Sequence, residues 1–335
     1  MTAPRLSVIV PAHRSPGYLE KCIIALRASD LPAGEWELVV VDDGSSDEET
    51  AQVALGGDRV VTLPAPAGGP ARARNAGALS ASAPLVAFVD ADVVVHPDAL
   101  SRIVEAFGNP TIDAVFGSYD DQPAHTGLVS EYRNLLHHRV HQSSVGDVES
   151  FWAGCGAIRR DVLESAGMFD ETRYRRPEIE DVELGYRLRD AGHRIVLDPA
   201  IQCTHLKRWT LGGMIISDFT RRGLPWARLL VERKMLFSPR GLSLGAGEQA
   251  SAALAGGAIV TALGAILLKS SMLALAAVAL FATFAIANYG LLSWLRDRRG
   301  VGFAAAALPL HFIYTANAVS SLIAGATVAL LSRRS

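Results

Sequence analysis

Two carboxylates one residue apart, Asp90 and Asp92, close an apolar run that reads PLVAFVDADVVVHPDAL over residues 84–100. Acid at the point where a buried strand should stop has a definite chemical use. Two negative charges can approach a third anionic group, such as a diphosphate, only with a cation between them. Hard oxygen ligands of this kind suit Mg2+ or Mn2+. An Asp-x-Asp pair alone is weak evidence, because most acidic pairs in loops are simply solvated.

Other residues could share that chemistry. Asp42 and Asp43 end the run WELVVVDDG (36–44) just before SSDEET. They either cap the following helix or face a ligand. Arg72 and Arg74 follow a Gly68-Gly69-Pro70 turn. They either stay in solvent, face a diphosphate or order the acids. Glu180 and Asp181 open the stretch EDVELGYRLRDAG, whose apolar residues are Val182, Leu184, Tyr186 and Leu188. Acids at a helix start satisfy the helix dipole. A carboxylate kept ionised there can also take a proton from a hydroxyl. Gly154 and Gly156 flank Cys155 in a turn that lets backbone approach a ligand closely. Cys155 has no neighbour that would make it a nucleophile. His137, His138 and His141 fall on an expected helix over 128–142 and read as a solvated or ligand-facing surface.

The elements that must position these residues alternate. LSVIVPA (6–12), WELVVVDDG (36–44), RVVTLPA (59–65) and LVAFVD (85–90) read as strands. Helices are expected over 16–29 and 68–82. Near-continuous apolar strands alternating with helices imply an α/β layer around a mostly parallel, Rossmann-like sheet. In such sheets ligands bind beyond the carboxyl ends of the strands. Pro11, Ala12 and His13, then Asp42 and Asp43, then Asp90 and Asp92 all fall at such ends.

VIVPAHR, VVVDDGSSDEET, GGPARARNAGA, FVDADVVVHPDAL, AGCGAIRRDVLESAGMFDE and EDVELGYRLRDAGHRI occur in that order. Together they resemble the inverting family 2 glycosyltransferases of the GT-A fold, in their membrane-anchored bacterial form, over about residues 5–210. The resemblance implies a nucleotide-sugar site built from Pro11, Ala12, His13, Asp42, Asp43, Arg72, Arg74, Asp90 and Asp92. In it Asp43 would accept from the base N–H, with uracil the expected base. Asp90 would orient the ribose, and Asp92 would hold the divalent metal. Asp181 matches the family's base, with Glu180 beside it. His205 stands where related enzymes complete the metal shell. Gly154, Cys155, Gly156, Arg208 and Trp209 would meet the sugar or acceptor. His13 stands where the family often has Asn. HLKRW (205–209) resembles the QxxRW motif of processive synthases with His in place of Gln, which weakens a processive reading.

Composition bounds the rest. The 335 residues carry a net charge of −2, which offers no basic field to nucleic acid. Cys22, Cys155 and Cys203 are odd in number and far apart, fitting neither a disulfide framework nor a metal knuckle. The first apolar run is too short for a signal peptide. After about residue 240 charge nearly vanishes: uncharged gaps of 20, 26 and 33 residues follow Glu248, Lys269 and Arg299. A bilayer core needs about 20 apolar helical residues. Three spans are therefore expected, at 249–268, 272–294 and 308–331, with Pro309 in the first turn of the third. The expected division is 1–209 catalytic, 210–240 amphipathic helices at the membrane surface, and 241–335 membrane domain. Arg296, Arg298 and Arg299, read as a loop, place the catalytic domain on the cytoplasmic side of a cell membrane. Arg333 and Arg334 then fall outside, a conflict that a re-entrant third segment would remove. The expected activity is transfer from a nucleotide sugar to a lipid or lipid-linked glycan. A nucleotidyltransferase would show a Gly-rich basic loop after the first strand, and PAHRSPGYLE lacks one. A catalytically idle scaffold would have no need of Asp90, Asp92 and Asp181 together.

Overall fold

The computed structural model describes residues 3–236 and 246–332. β1 (Leu6–Ala12) is buried at every position except Pro11, as expected of a strand covered on both faces. α1 (Pro16–Arg27), β2 (Trp36–Asp43), α2 (Glu48–Ala54), β3 (Arg59–Leu63), α3 (Pro70–Ser80) and β4 (Leu85–Val89) follow in alternation. The four expected strands are all present, with ends within two residues of the expected ones. Then come β5 (Val93–Val95), α4 (Ala99–Ala106), β6 (Ala114–Tyr119), α5 (Leu128–Ser143), β7 (Gly146–Asp147), β8 (Cys155–Arg159), α6 (Arg160–Ser165), α7 (Glu180–Asp190) and β9 (Ile195–His205).

These strands form one sheet in the order β3-β2-β1-β4-β8-β6-β9-β5, with β7 on β9. The half from β3 to β4 is parallel. β8 is inserted antiparallel to both β4 and β6. One reversed strand between them leaves β6 and β9 pointing the same way as β1, β2 and β4. The carboxyl ends of these five strands, and the amino end of β8, therefore share one edge. Beneath it, Leu19, Cys22 and Leu26 of α1 and Leu100 and Ile103 of α4 pack in one buried core with the sheet.

The chain divides into two compact units, Met1–Thr126 with Arg133–Arg208, and Gly127–Tyr132 with Trp209–Ser335. The second unit holds α8 (Leu211–Ser217), a π-helical segment (Asp218–Gly223), α9 (Leu224–Glu232), α10 (Ala246–Leu268), α11 (Ser271–Ala287) and α12 (Tyr289–Ser332). α9 buries Ala227, Leu229, Leu230 and Val231. Gly325 of α12 lies so near that a Cβ there would meet the Ala227 side chain and the Leu224 backbone. The apolar face expected at a membrane surface is thus turned against α12. The expected boundary at 240–241, together with Phe237, Arg333 and Arg334, lies outside the described residues.

Among the described residues two helical stretches are long and apolar enough to cross a membrane, Gly247–Leu268 and Tyr289–Leu331, and a shorter apolar helix covers Ser271–Ala287. The expected second span, 272–294, is cut at Asn288, which caps α11. The expected loop at 296–299 is helical, and the chain breaks instead at Gly300, with φ 85°. Pro309 consequently lies inside α12, past its first turn. The N–H missing from Pro309 costs that helix one internal bond, yet the helix continues. Within the second unit a polar chain threads the helices. Tyr132 Oη meets His311 Nδ1 at 2.8 Å, His311 Nε2 meets Asn288 Oδ1 at 3.0 Å, and the Ser251 hydroxyl donates to the same Asn288 oxygen at 3.2 Å.

Candidate active site

The first acids to be placed are those of β2. Register sets Ala12 beside Asp42, and Asp43 beside Leu63. Asp42 is buried and accepts from the Ser45 N–H at 3.0 Å. Asp43 is buried under the start of α3, where its two oxygens accept from the N–H groups of Gly68 and Gly69 at 3.1 and 2.7 Å. An anion suits that helix terminus. Gly69 has φ 93°, and a Cβ there would strike the Arg175 backbone, so glycine is required. His13 Nδ1 lies 3.0 Å from the Asp43 carbonyl, tying the end of β1 to that of β2. The Arg72 guanidinium donates to the carbonyls of Pro64 and Pro66 and lies 3.6 Å from Asp43.

Arg74 has a different role from Arg72. It is 3% exposed and bridges two acids, donating from Nη1 to Glu180 Oε1 and from Nη2 to Asp90 Oδ1, each at 2.8 Å. Its guanidinium also lies over the Phe169 ring, 5.5 Å from the centroid. Of the roles open to it from sequence, ordering the acids is the one its contacts serve. The Glu180 carboxylate is buried, with Oε2 accepting from the Glu178 N–H at 2.9 Å. It therefore braces the start of α7.

Asp181, the next residue, is half-buried. One carboxylate oxygen accepts from the Ala153 N–H at 3.1 Å and the other from the Val182 N–H at 2.8 Å. Burial, then the neighbouring Glu180 charge, push its carboxyl up to about 6, with Arg74 opposing. A carboxyl so tuned is half ionised near pH 6 and mostly in its basic form at neutral pH, as a general base needs.

Asp92 lies just past the end of β4. Its Oδ2 is 3.4 Å from His205 Nε2, and β5–β9 pairing fixes this approach by setting His205 beside Val93. Burial would raise the Asp92 carboxyl, but the hydrogen bond and charge of His205, with Lys207, hold it below the usual carboxylate value. An imidazole and a carboxylate converging at one point are a chemically apt pair of ligands for a divalent cation. Among the described residues no group of three His, Cys, Asp or Glu side chains converges to cage a metal. A cation held here would draw its remaining ligands from substrate oxygens, as Mg2+ commonly does.

Some expected site residues serve the fold instead. Cys155 is fully buried in β8 opposite Val89, which removes its side chain from ligand contact. A Cβ on Gly154 would run into the Trp152 indole, and one on Gly156 would strike the Trp152 carbonyl and Phe116. These glycines make room for the protein's own chain. The Gly154 carbonyl does contribute, accepting from the Asp90 N–H at 3.1 Å. Arg208 is exposed, and Trp209 belongs to the second unit, where its N–H donates to Ser130 Oγ at 2.8 Å. The histidines of α5 are less solvated than expected: His138 is buried with Nδ1 2.7 Å from the Tyr119 carbonyl, and His141 packs near Trp152. Tyr119 and Trp152, which the sequence reading does not single out, stand directly before an acidic pair (Asp120-Asp121) and just before the Gly154 turn.

Residues 7–167 match the family described as glycosyl transferase family 2. The chain is 27% identical over 172 residues to the glycosyltransferase AglE of Haloferax volcanii, covering 50% of this chain and 57% of that protein. It is 28% identical over 217 residues to a pre-mycofactocin glycosyltransferase of Mycobacterium tuberculosis, covering 62% of this chain and 43% of the other. An N-acetylglucosaminyltransferase of Rhizobium meliloti is 28% identical over 260 residues, covering 72% and 59%. The matched segments thus span about half the length of these relatives. A solved structure of a mannosyltransferase from Pyrobaculum calidifontis, in complex with GDP-Man and Mn2+, superimposes with a TM-score of 0.56 at 21% identity, over 99% of this chain and 89% of the other. That likeness shows a GT-A fold.

Proposed function

Residues 7–167 are a glycosyl transferase family 2 domain, and on that premise we propose that the chain is a membrane-anchored, metal-dependent inverting glycosyltransferase. The donor is a nucleotide sugar and the acceptor a lipid or lipid-linked glycan. The observation that carries this reading is the joint placement of the Asp92–His205 pair and Asp181 around one sheet edge, linked through Asp90, Arg74 and Glu180. Asp92 and His205 would hold the cation, and a divalent ion there supplies charge neutralisation to the leaving diphosphate. Asp90, held by Arg74, has the ribose as its partner. Asp181 takes the proton of the acceptor hydroxyl as that oxygen attacks the anomeric carbon. One displacement inverts the configuration.

The membrane part of the reading rests on exposure. Ile266, Leu267, Leu268 and Met272 are each more than 70% exposed. A buried helix of a soluble core would cover such side chains, whereas lipid solvates them. By the positive-inside rule, Arg296, Arg298 and Arg299 support a cytoplasmic side for this end of α12 and for the catalytic domain.

The test is nucleotide-sugar turnover by the purified full chain with Mn2+, using UDP-linked and GDP-linked donors in parallel. The sequence resemblance implies the first class, and the Pyrobaculum protein holds the second. Turnover should vanish on EDTA treatment and return with Mn2+ or Mg2+. Asp92→Asn should lose both turnover and metal-dependent nucleotide binding. Full activity in EDTA would overturn the metal assignment, and absence of turnover with every donor would overturn the glycosyltransferase reading.

A further inference from the structure

Tyr119 ends β6, and its ring stacks on His205 with centroids 4.7 Å apart and planes 18° from parallel. The same ring meets Trp152 edge-on at 4.8 Å. Trp152 lies 5.2 Å from His141. His137 closes the patch, 5.9 Å from Tyr119 and 6.1 Å from His141. These rings form a continuous wall, and both its ends touch the chemistry. His205 meets Asp92 at one end. At the other, Trp152 directly precedes Ala153, whose N–H holds the Asp181 carboxylate.

Core packing accounts for Tyr119, which is 7% exposed. Trp152 also packs against that core, yet Trp152, His137 and His141 each keep part of their surface open. The indole is also fixed in place: Gly154 has no Cβ, and the Trp152 ring occupies the space one would fill. A rigid aromatic face with polar edges suits a ligand that has both an apolar face and hydroxyls around it. A pyranose is such a ligand, since its C–H face lies on the ring and its hydroxyls reach the imidazoles. An isoprenoid or alkyl alcohol offers a chain without that flat, hydroxyl-rimmed face.

We propose that Trp152, flanked by His137 and His141, is the platform on which a sugar ring of the acceptor stacks beside Asp181, so that the acceptor is a glycan or glycoside and not a bare lipid alcohol. The assignment rests on the glycosyltransferase reading above. It also moves the aromatic acceptor contact from Trp209, where the sequence placed it, to Trp152.

The experiment uses the full chain with its working nucleotide sugar, a panel of p-nitrophenyl glycosides as acceptor probes, and dodecanol as a ring-free acceptor. The wild type should glycosylate at least one glycoside and prefer it to dodecanol. Trp152→Ala should raise the acceptor KM roughly 10- to 100-fold while the donor KM moves by less than about two-fold. Trp152→Phe, which keeps a flat ring and protects against a folding defect, should recover most of the loss. An unchanged acceptor KM in Trp152→Ala overturns the platform, as does an equal rise in donor KM or a wild-type preference for dodecanol. Absence of turnover with every donor in the wild type would instead sink the reading on which the proposal rests, so the two failures are distinguishable.

Discussion

Replacing Arg74 by methionine should destabilise the first unit severely, through a mechanism separate from catalysis. The Arg74 and Glu180 side chains are 4% and 5% exposed and 2.8 Å apart. Methionine fills much of the same volume but leaves the Glu180 carboxylate without its cation. Breaking a buried pair on one side costs about 3–5 kcal/mol, because the remaining charge stays desolvated. A domain of this size has about 5–15 kcal/mol in all. Asp90 adds less, since its side chain is 34% exposed and water can take over part of the contact. Arg74→Lys keeps the charge but cannot span both acids with a planar fork, and should lose about 1.5–3 kcal/mol, the worth of one charged hydrogen bond. The assay is urea unfolding of the full chain in detergent, with wild type, Arg74→Met, Glu180→Leu and the double variant side by side. The double variant should be more stable than the sum of the single losses implies, by about 2 kcal/mol, because neither charge is then left alone. A loss below about 1 kcal/mol in Arg74→Met, or strict additivity in the cycle, would refute the reasoning and return Arg74 to the diphosphate.

Three further outcomes can be measured. A base acts when ionised, so with the Asp181 carboxyl raised to about 6, kcat/KM should be level above about pH 7 and fall about tenfold per unit below pH 6. A profile that stays level down to pH 5 assigns the proton transfer to another group. Asp181→Asn should cost about 100- to 10,000-fold in transfer, and Glu180→Gln less, because an amide oxygen can still accept from Arg74. If α10 and α12 cross a bilayer, the full chain should stay with membranes through an alkaline carbonate wash, and its release would remove the anchor from the reading.

What the sequence made legible depends on how local each signal was. β1, β2 and β4 are near-continuous apolar runs, so their ends are legible to within two residues. The acids past those ends were visible for the same reason. Arg74 was ambiguous because its two partners lie 16 and 106 residues away, and nothing in GGPARARNAGA distinguishes a buried guanidinium from a solvated one. In the sequence alone, the glycines around Cys155 suggest room for a ligand. Their true neighbours, Trp152 and Phe116, come from the insertion of β8 between β4 and β6, which no strand-by-strand reading specifies. In the apolar half, absence of charge located the helices but not their breaks. Asn288 and Gly300 end helical runs through cap geometry, and neither carries a charge to mark the place. The same reversal of β8 gathers the candidate site residues at one edge. It lets β6 and β9 run parallel to β4, so Tyr119 and His205 arrive at the edge already occupied by Asp43 and Asp90. It also brings Trp152 and Ala153 in from the opposite direction to meet Asp181. Asp92, just past β4, and Asp181, at the start of α7, thus meet at one edge of the sheet, and Arg74 joins the two sides through Asp90 and Glu180. Loss of that one guanidinium should therefore be felt on both sides of the site.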